Sequence, residues 1–216
     1  MTAALDHLVV TAPTLAQGVQ WCEAVLGVTP GPGGAHALMG THNRLFNIGS
    51  ERFPQIFFEV LAVDPAAPPP GRARWFGLDT IEPGAGPRLR HFVARSGAVD
   101  AQGEALRAAG FDIGPAIAAS RDTPQGRLAW RLTVRDDGRL LAGGALPTLI
   151  DWGHTPHPAS TMPACGVTLR TLTLRGLAPS VAQVLGLPGI DVAAGPGPAL
   201  SAVFDTPLGP VTLSSD

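Results

Sequence analysis

Residues 5–11 read LDHLVVT and place a histidine inside an otherwise apolar strand pattern. Side chains of a strand alternate between its faces, so this spacing predicts Leu5, His7 and Val9 on one face and Asp6, Leu8 and Val10 on the other. The pattern returns at residues 89–94, LRHFVA, where Leu89, His91 and Val93 share a face. Two histidine-bearing strands of the same register imply a chain built from a repeated unit.

Outward from the first strand the punctuation is regular. Thr14 and Gln17 form a capping-box pair at the head of an amphipathic helix to Leu26, with Leu15, Val19, Cys22 and Val25 or Leu26 along one face and Gly27 as its stop. A turn-rich stretch leads to THNRLFNIG and then to QIFFEVLAV, residues 55–63, a strongly apolar strand. DPAAPPPG, residues 64–71, cannot continue a strand and reads as a linker, with RARWFGLDT after it as a short helix or covering loop. The same order then recurs: strand at His91, helix from Val99 to Ala109, Gly110 as stop, a hairpin around Gln125 to Val134 and a strand from Pro147 to Trp152. GVTPGP at Gly27 is answered by GFDIGP at Gly110. A third, weaker copy runs from Val167 to Leu213, with Thr171 in the place of His7 and His91. The expected organisation is therefore α+β: strand-helix-strand-strand-strand modules at 4–65 and 87–155, a linker and covering segment at 66–86, and a degenerate third module at 164–216. Each module alone exposes one face of a small sheet, and pairing modules encloses those faces around a cleft.

Composition narrows the function classes. The formal net charge is -2 and 15% of residues are charged, which provides no basic stripe for nucleic acid. All fifteen cationic side chains are arginine, so any anion site must use arginine, histidine or backbone N–H groups. No apolar run reaches the length of a membrane span and the N-terminus lacks a leader pattern, so the expectation is a soluble, cytoplasmic chain with two reduced cysteines.

The residues with chemistry cluster on the repeated strands. Phe57, Glu59 and Leu61 share a face, which puts a carboxylate among apolar neighbours, and LPTLIDWG places Asp151 at the matching position of the second module. His7, Glu59, His91 and Asp151 thus form a candidate metal set. Two imidazoles and two carboxylates suit zinc, nickel, iron(II) or manganese. An ionised glutamate in an apolar strand needs a compensating partner: either a metal, or an arginine such as Arg44 or Arg127 with the two histidines bonded to backbone. Candidate substrate contacts are His42, Asn43, Arg44, Arg127, Trp130 and Trp152, with Arg131 a further candidate anion contact; His154 and His157 read as loop residues. Walker, dinucleotide-binding and Gly-x-Ser-x-Gly signatures are missing from the sequence.

With DHLVV on its first strand and FFEVLAVDP on its fourth, the module resembles the vicinal oxygen chelate superfamily, which includes glyoxalase I, extradiol dioxygenases and methylmalonyl-CoA epimerase. GTHNRL, LPTLIDWG, HPAS and MPACGV look like the glyoxalase-like domain subfamily. The resemblance implies metal ligands on the first and fourth strands of paired modules, which map onto His7, Glu59, His91 and Asp151. It implies a small-molecule lyase or isomerase in which Glu59 or Asp151 removes a proton next to a carbonyl. The alternatives are a metal-free drug-sequestering protein and an iron(II) dioxygenase of the extradiol type. Modules of this kind also suggest a homodimer.

Overall fold

The computed structural model describes residues 2–82, 84–123 and 126–216. Strand β1 (Ala4–Thr11) leads into helix α1 (Leu15–Leu26), which is capped as expected: the Thr14 hydroxyl accepts from the Gln17 N–H and Gly27 ends the helix at φ 68°. The chain continues through β2 (Ala35–His36), β3 (Thr41–Asn47) and β4 (Phe57–Val63), and a 3-10 segment, Trp75–Thr80, follows the proline-rich linker. The second module comprises β5 (Arg88–Arg95), α2 (Val99–Ala108), β6 (Ala116–Thr123), β7 (Gly126–Thr133) and β8 (Thr148–Asp151). Gln125, named in the expected hairpin, lies outside the described residues. The third comprises β9 (Thr168–Arg175), α3 (Pro179–Leu185), β10 (Asp191–Ala193), β11 (Leu200–Thr206) and β12 (Gly209–Ser214).

Among the described residues the first two modules merge into one eight-stranded mixed sheet, ordered β2-β3-β4-β1-β5-β8-β7-β6. Its centre is the antiparallel pair β1–β5, and each of these strands runs parallel to the last strand of its own module. The sheet curves until its ends approach, with Arg121 on β6 bonded to Asn43 on β3, so it forms a nearly closed, barrel-like cup. The third module forms a separate sheet, ordered β10-β9-β11-β12. Leu169, Leu172, Leu174 and Phe204 from that sheet share one core with Leu8, Val10, Phe58, Phe92 and the helix residues Cys22, Leu26 and Leu106. The third module therefore packs on the convex side of the cup and leaves the concave side to a smaller cluster around Val9, Leu61, Val93, Trp130 and Ile150.

The face assignment of the opening strand needs one correction. The β1–β5 register skips Asp6, since Leu5 pairs with Ala94 and His7 with Val93. A residue inserted in this way forms a bulge and resets the alternation. Leu5 consequently joins Leu8 and Val10 in the convex core, while Asp6 and His7 both reach the concave side. The partner strand does the same at Arg90, immediately before His91, and β9 does so at Arg170, before Thr171.

No helix among the described residues is long and apolar enough to cross a membrane. Both cysteines are free; Cys22 is buried, and its burial pushes the thiol up to about 12.

Candidate active site

The concave side holds a partly open pocket of about 470 Å³, space at its mouth included. Its walls are aromatic, from Phe57, Trp75, Phe76, Trp130 and Trp152, and its polar groups are His7, His36, Asn43, Glu59 and Arg121. Trp75 and Phe76, from the 3-10 segment, stack on each other at 5.4 Å in the pocket wall, and Trp75 meets His36 edge-on at 5.1 Å.

Burial and hydrogen bonding give each polar group a defined orientation. Asp6 is fully buried and accepts from His7 Nδ1 at 2.6 Å, from Trp152 Nε1 at 2.9 Å and from His157 Nε2 at 3.0 Å. Burial alone would raise its pKa, but the hydrogen bonds from His157 and His7, aided by their charge, hold the carboxyl well below the usual carboxylate range. With Nδ1–H given to Asp6, the His7 ring lies flat on Phe57 at 4.4 Å and turns Nε2 towards Glu59 Oε2, 3.5 Å away. That distance is long for a hydrogen bond.

The other Glu59 oxygen, Oε1, accepts from Asn43 Nδ2 at 2.6 Å. Asn43 is saturated. Its amide also contacts His36 Nε2 at 3.3 Å, and its Oδ1 accepts from the Gly34 N–H and from Arg121 Nη1. His36 completes the line by contacting Thr41 Oγ1 through Nδ1. The predicted arginine partners of Glu59 are therefore replaced by an amide and an imidazole.

The structure brings together only part of the predicted site. His7, Glu59, Asn43, Trp130 and Trp152 converge. His91 is buried and spent: Nδ1 donates to the Gly144 carbonyl at 3.0 Å, and Nε2 accepts from the Thr148 N–H at 3.0 Å. Burial, only partly offset by the Gly144 bond, lowers its pKa to about 3, so the ring is a neutral structural group.

Asp151 is not the counterpart of Glu59. Val9 pairs with Glu59 across β1–β4, and the equivalent Val93 pairs with Thr148 across β5–β8, so Thr148 holds that position. Asp151 instead accepts from the Gly153 N–H in a turn and lines a separate open groove with Arg127. His42 and Arg44 alternate with Asn43 and lie on the opposite side of β3. His42 Nδ1 is 3.9 Å from Asp64, and Arg44 is exposed. Arg127 donates to Ser120, and Arg131 forms a two-point pair with Asp100.

The four predicted ligands do not converge, and among the described residues no group of three His, Cys, Asp or Glu side chains is arranged to hold a metal ion. The two-histidine, one-carboxylate face required for an iron(II) dioxygenase is not assembled for the same reason.

Sequence reasoning missed Asp6, His36, Arg121 and His157 as site residues. Two of them had a readable signal. Adjacent Asp6 and His7 are consecutive polar residues in a strand, which break strict alternation, and Arg121 follows Ile117 and Ala119 at period two.

The pairing of a parallel β1–β4 with a bulged, antiparallel β1–β5 around one pocket accompanies a family match: a model described as glyoxalase-like domain covers residues 5–185. The chain belongs to the glyoxalase-like domain family. Among solved structures, a hypothetical protein from Staphylococcus aureus is similar to this glyoxalase-like chain at 16% identity and a TM-score of 0.57, over 80% of this chain and 69% of that one. Methylmalonyl-CoA epimerase in complex with methylmalonyl-CoA and NH4+ is 13% identical, over 73% of this chain and 100% of the other, at a TM-score of 0.46. The epimerase from Mycobacterium tuberculosis is 17% identical, over 73% and 91%, at 0.41. At these identities the likeness concerns the fold. The comparison with curated proteins gives no match.

Proposed function

We propose that this glyoxalase-like chain catalyses proton transfer next to a carbonyl of a small molecule, as an isomerase or lyase, with Glu59 as base and His7 as its partner acid. The observation that carries this reading is the free Glu59 Oε2 facing His7 Nε2 inside an aromatic pocket. A carboxylate held by Asn43 through one oxygen keeps the other for a proton. In the reaction the C–H bond breaks, the proton passes to Glu59 Oε2, and the electron pair moves onto the carbonyl oxygen. A protonated His7 Nε2 faces that oxygen, and buried Asp6 stabilises the imidazolium from the far side. Return of the proton to a different face or atom gives isomerisation; loss of a leaving group gives a lyase product. No step is routed through a metal, because His91 and Asp151 are not brought to His7 and Glu59.

The test is proton–deuterium exchange followed by NMR in D2O, with hydroxyacetone, 2-oxobutanoate and the methylglyoxal–glutathione hemithioacetal as probes. The expected result is enzyme-dependent exchange that Glu59→Gln lowers about 10²- to 10⁴-fold while probe binding persists. Binding with no exchange above the buffer rate would sink the proposal and leave a small-molecule sequestering protein.

A further inference from the structure

Arg121 stands apart from the arginines that the fold uses for pairing. Arg52, Arg74, Arg131, Arg135 and Arg170 each meet an aspartate within 3 Å. Arg121 is half-buried in the pocket wall, and among the described residues it forms no ion pair; its one hydrogen bond runs from Nη1 to the Asn43 amide oxygen at 3.0 Å. Its Nε is buried without a partner, as is the indole Nε1 of Trp75 on the same pocket. Local structure makes room for the guanidinium: a Cβ on Gly34 would lie 2.5 Å from Nη1. Burial weighs against the charge, and Glu59 on the other side of Asn43 supports it.

A half-buried cation with an unpartnered donor is costly unless something enters to accept from the guanidinium. The pocket therefore presents acceptors at Glu59 and donors at Arg121, one amide apart. We infer that the molecule handled here carries a carboxylate, received by Arg121 a few bonds from the carbon that Glu59 deprotonates. The inference rests on the proton-transfer reading and narrows it to oxo acids and related carbonyl acids. A planar fork matches a carboxylate in two-point fashion. A phosphate would bring up to a second negative charge beside Glu59, which disfavours it.

The experiment compares 2-oxobutanoate with its neutral isostere 2,3-pentanedione, reading binding from the fluorescence of the pocket tryptophans and exchange from NMR in D2O. Wild type should bind the acid roughly ten- to a hundredfold more tightly. Arg121→Gln should erase that preference while leaving the affinity for the diketone intact, with an unchanged melting temperature as the folding control, and Arg121→Lys should restore part of it. Equal affinity for both probes, failure of wild type to bind the acid, or a preference that survives Arg121→Gln overturns the inference. Inorganic phosphate displacing the acid at lower concentration than propionate also overturns it. An Arg121-dependent preference without any exchange would support the carboxylate site and refute proton transfer. Exchange of 2-oxobutanoate, and its affinity, unchanged by Arg121→Gln would do the reverse.

Discussion

Acid should unfold this protein through two buried histidines. His36 and His91 both have pKa values lowered to about 3: His36 by burial and then by the charges of Arg121, His7 and His42, and His91 by burial, partly offset by its bond to Gly144. Above pH 6.5 each is neutral in both folded and unfolded chains and the pair contributes no pH dependence. Below that value the unfolded chain takes up a proton on each ring and the folded chain does not. Stability therefore falls as pH falls, by about 1.4 kcal/mol per histidine for each pH unit, until the folded values near 3 are reached. Between pH 6.5 and 4.5 the loss is about 2.5 kcal/mol per ring and about 5 kcal/mol for both, a large part of the roughly 5–15 kcal/mol that a domain possesses. Urea unfolding at pH 7, 6, 5 and 4.5 measures it. His91→Gln isolates one ring, because the amide can still donate to Gly144 and accept from the Thr148 N–H but cannot take up a proton in this range. Whatever that variant loses at pH 7 through packing, its decline to pH 4.5 should be smaller than that of the wild type by about 2.5 kcal/mol. Parallel pH curves for variant and wild type would refute the reasoning.

Asp6→Asn should cost about 3–5 kcal/mol at pH 7 in the same assay, since an amide N–H would be pressed against buried donors from His7, Trp152 and His157. Because the folded Asp6 pKa is depressed, its contribution is present above the ordinary carboxylate range and lost as pH falls below it, so the gap to wild type should narrow at acid pH. Asp151→Asn should leave the exchange rate unchanged and shift stability by no more than about 0.5 kcal/mol, as the Asn oxygen can still accept from the Gly153 N–H; a lost activity would place Asp151 back in the chemistry.

Much of the fold was legible because its determinants are local. The Thr14 cap, the Gly27 stop and the period-two run at residues 57–61 each act within a few residues, and all appear where expected. Phe57 and Glu59 do line the pocket and Leu61 joins the concave cluster, while Phe58 and Val60 enter the convex core. The equivalence of Asp151 with Glu59 failed because it depends on the register of β8 against β5, a long-range property that the sequence carries only weakly. His91 failed as a ligand for a similar reason. Its register matches His7, but its partners Gly144 and Thr148 arrive from a distant loop and strand and take both ring nitrogens. Arg121 reaches the site through closure of the cup, when β6 comes round to β3, whereas His36 is brought to Asn43 by the neighbouring β2–β3 pairing. Motif reading does not sense that closure.

The three modules share one backbone device and use it differently. In LDHLVV, LRHFVA and LRTLTL the residue before the histidine or threonine position is skipped by the register. The buried residues Leu5, Leu8 and Val10 are matched by Leu89, Phe92 and Ala94, and by Leu169, Leu172 and Leu174. A pair of consecutive polar residues between aliphatics is the mark of this bulge, and strict alternation misreads it. What differs is the bulged side chain. Asp6 turns inward and holds His7 from behind. Arg90 contacts the Phe76 carbonyl and Thr80 of the covering segment, leaving His91 to bond to backbone. Arg170 pairs with Asp205 at the surface. Among the described residues, only those of the first module combine an inward anion, an oriented imidazole and a carboxylate on the neighbouring parallel strand. Placing an acid at position 90 would not recreate that arrangement, because Thr148 stands where Glu59 does and His91 has no nitrogen left to offer.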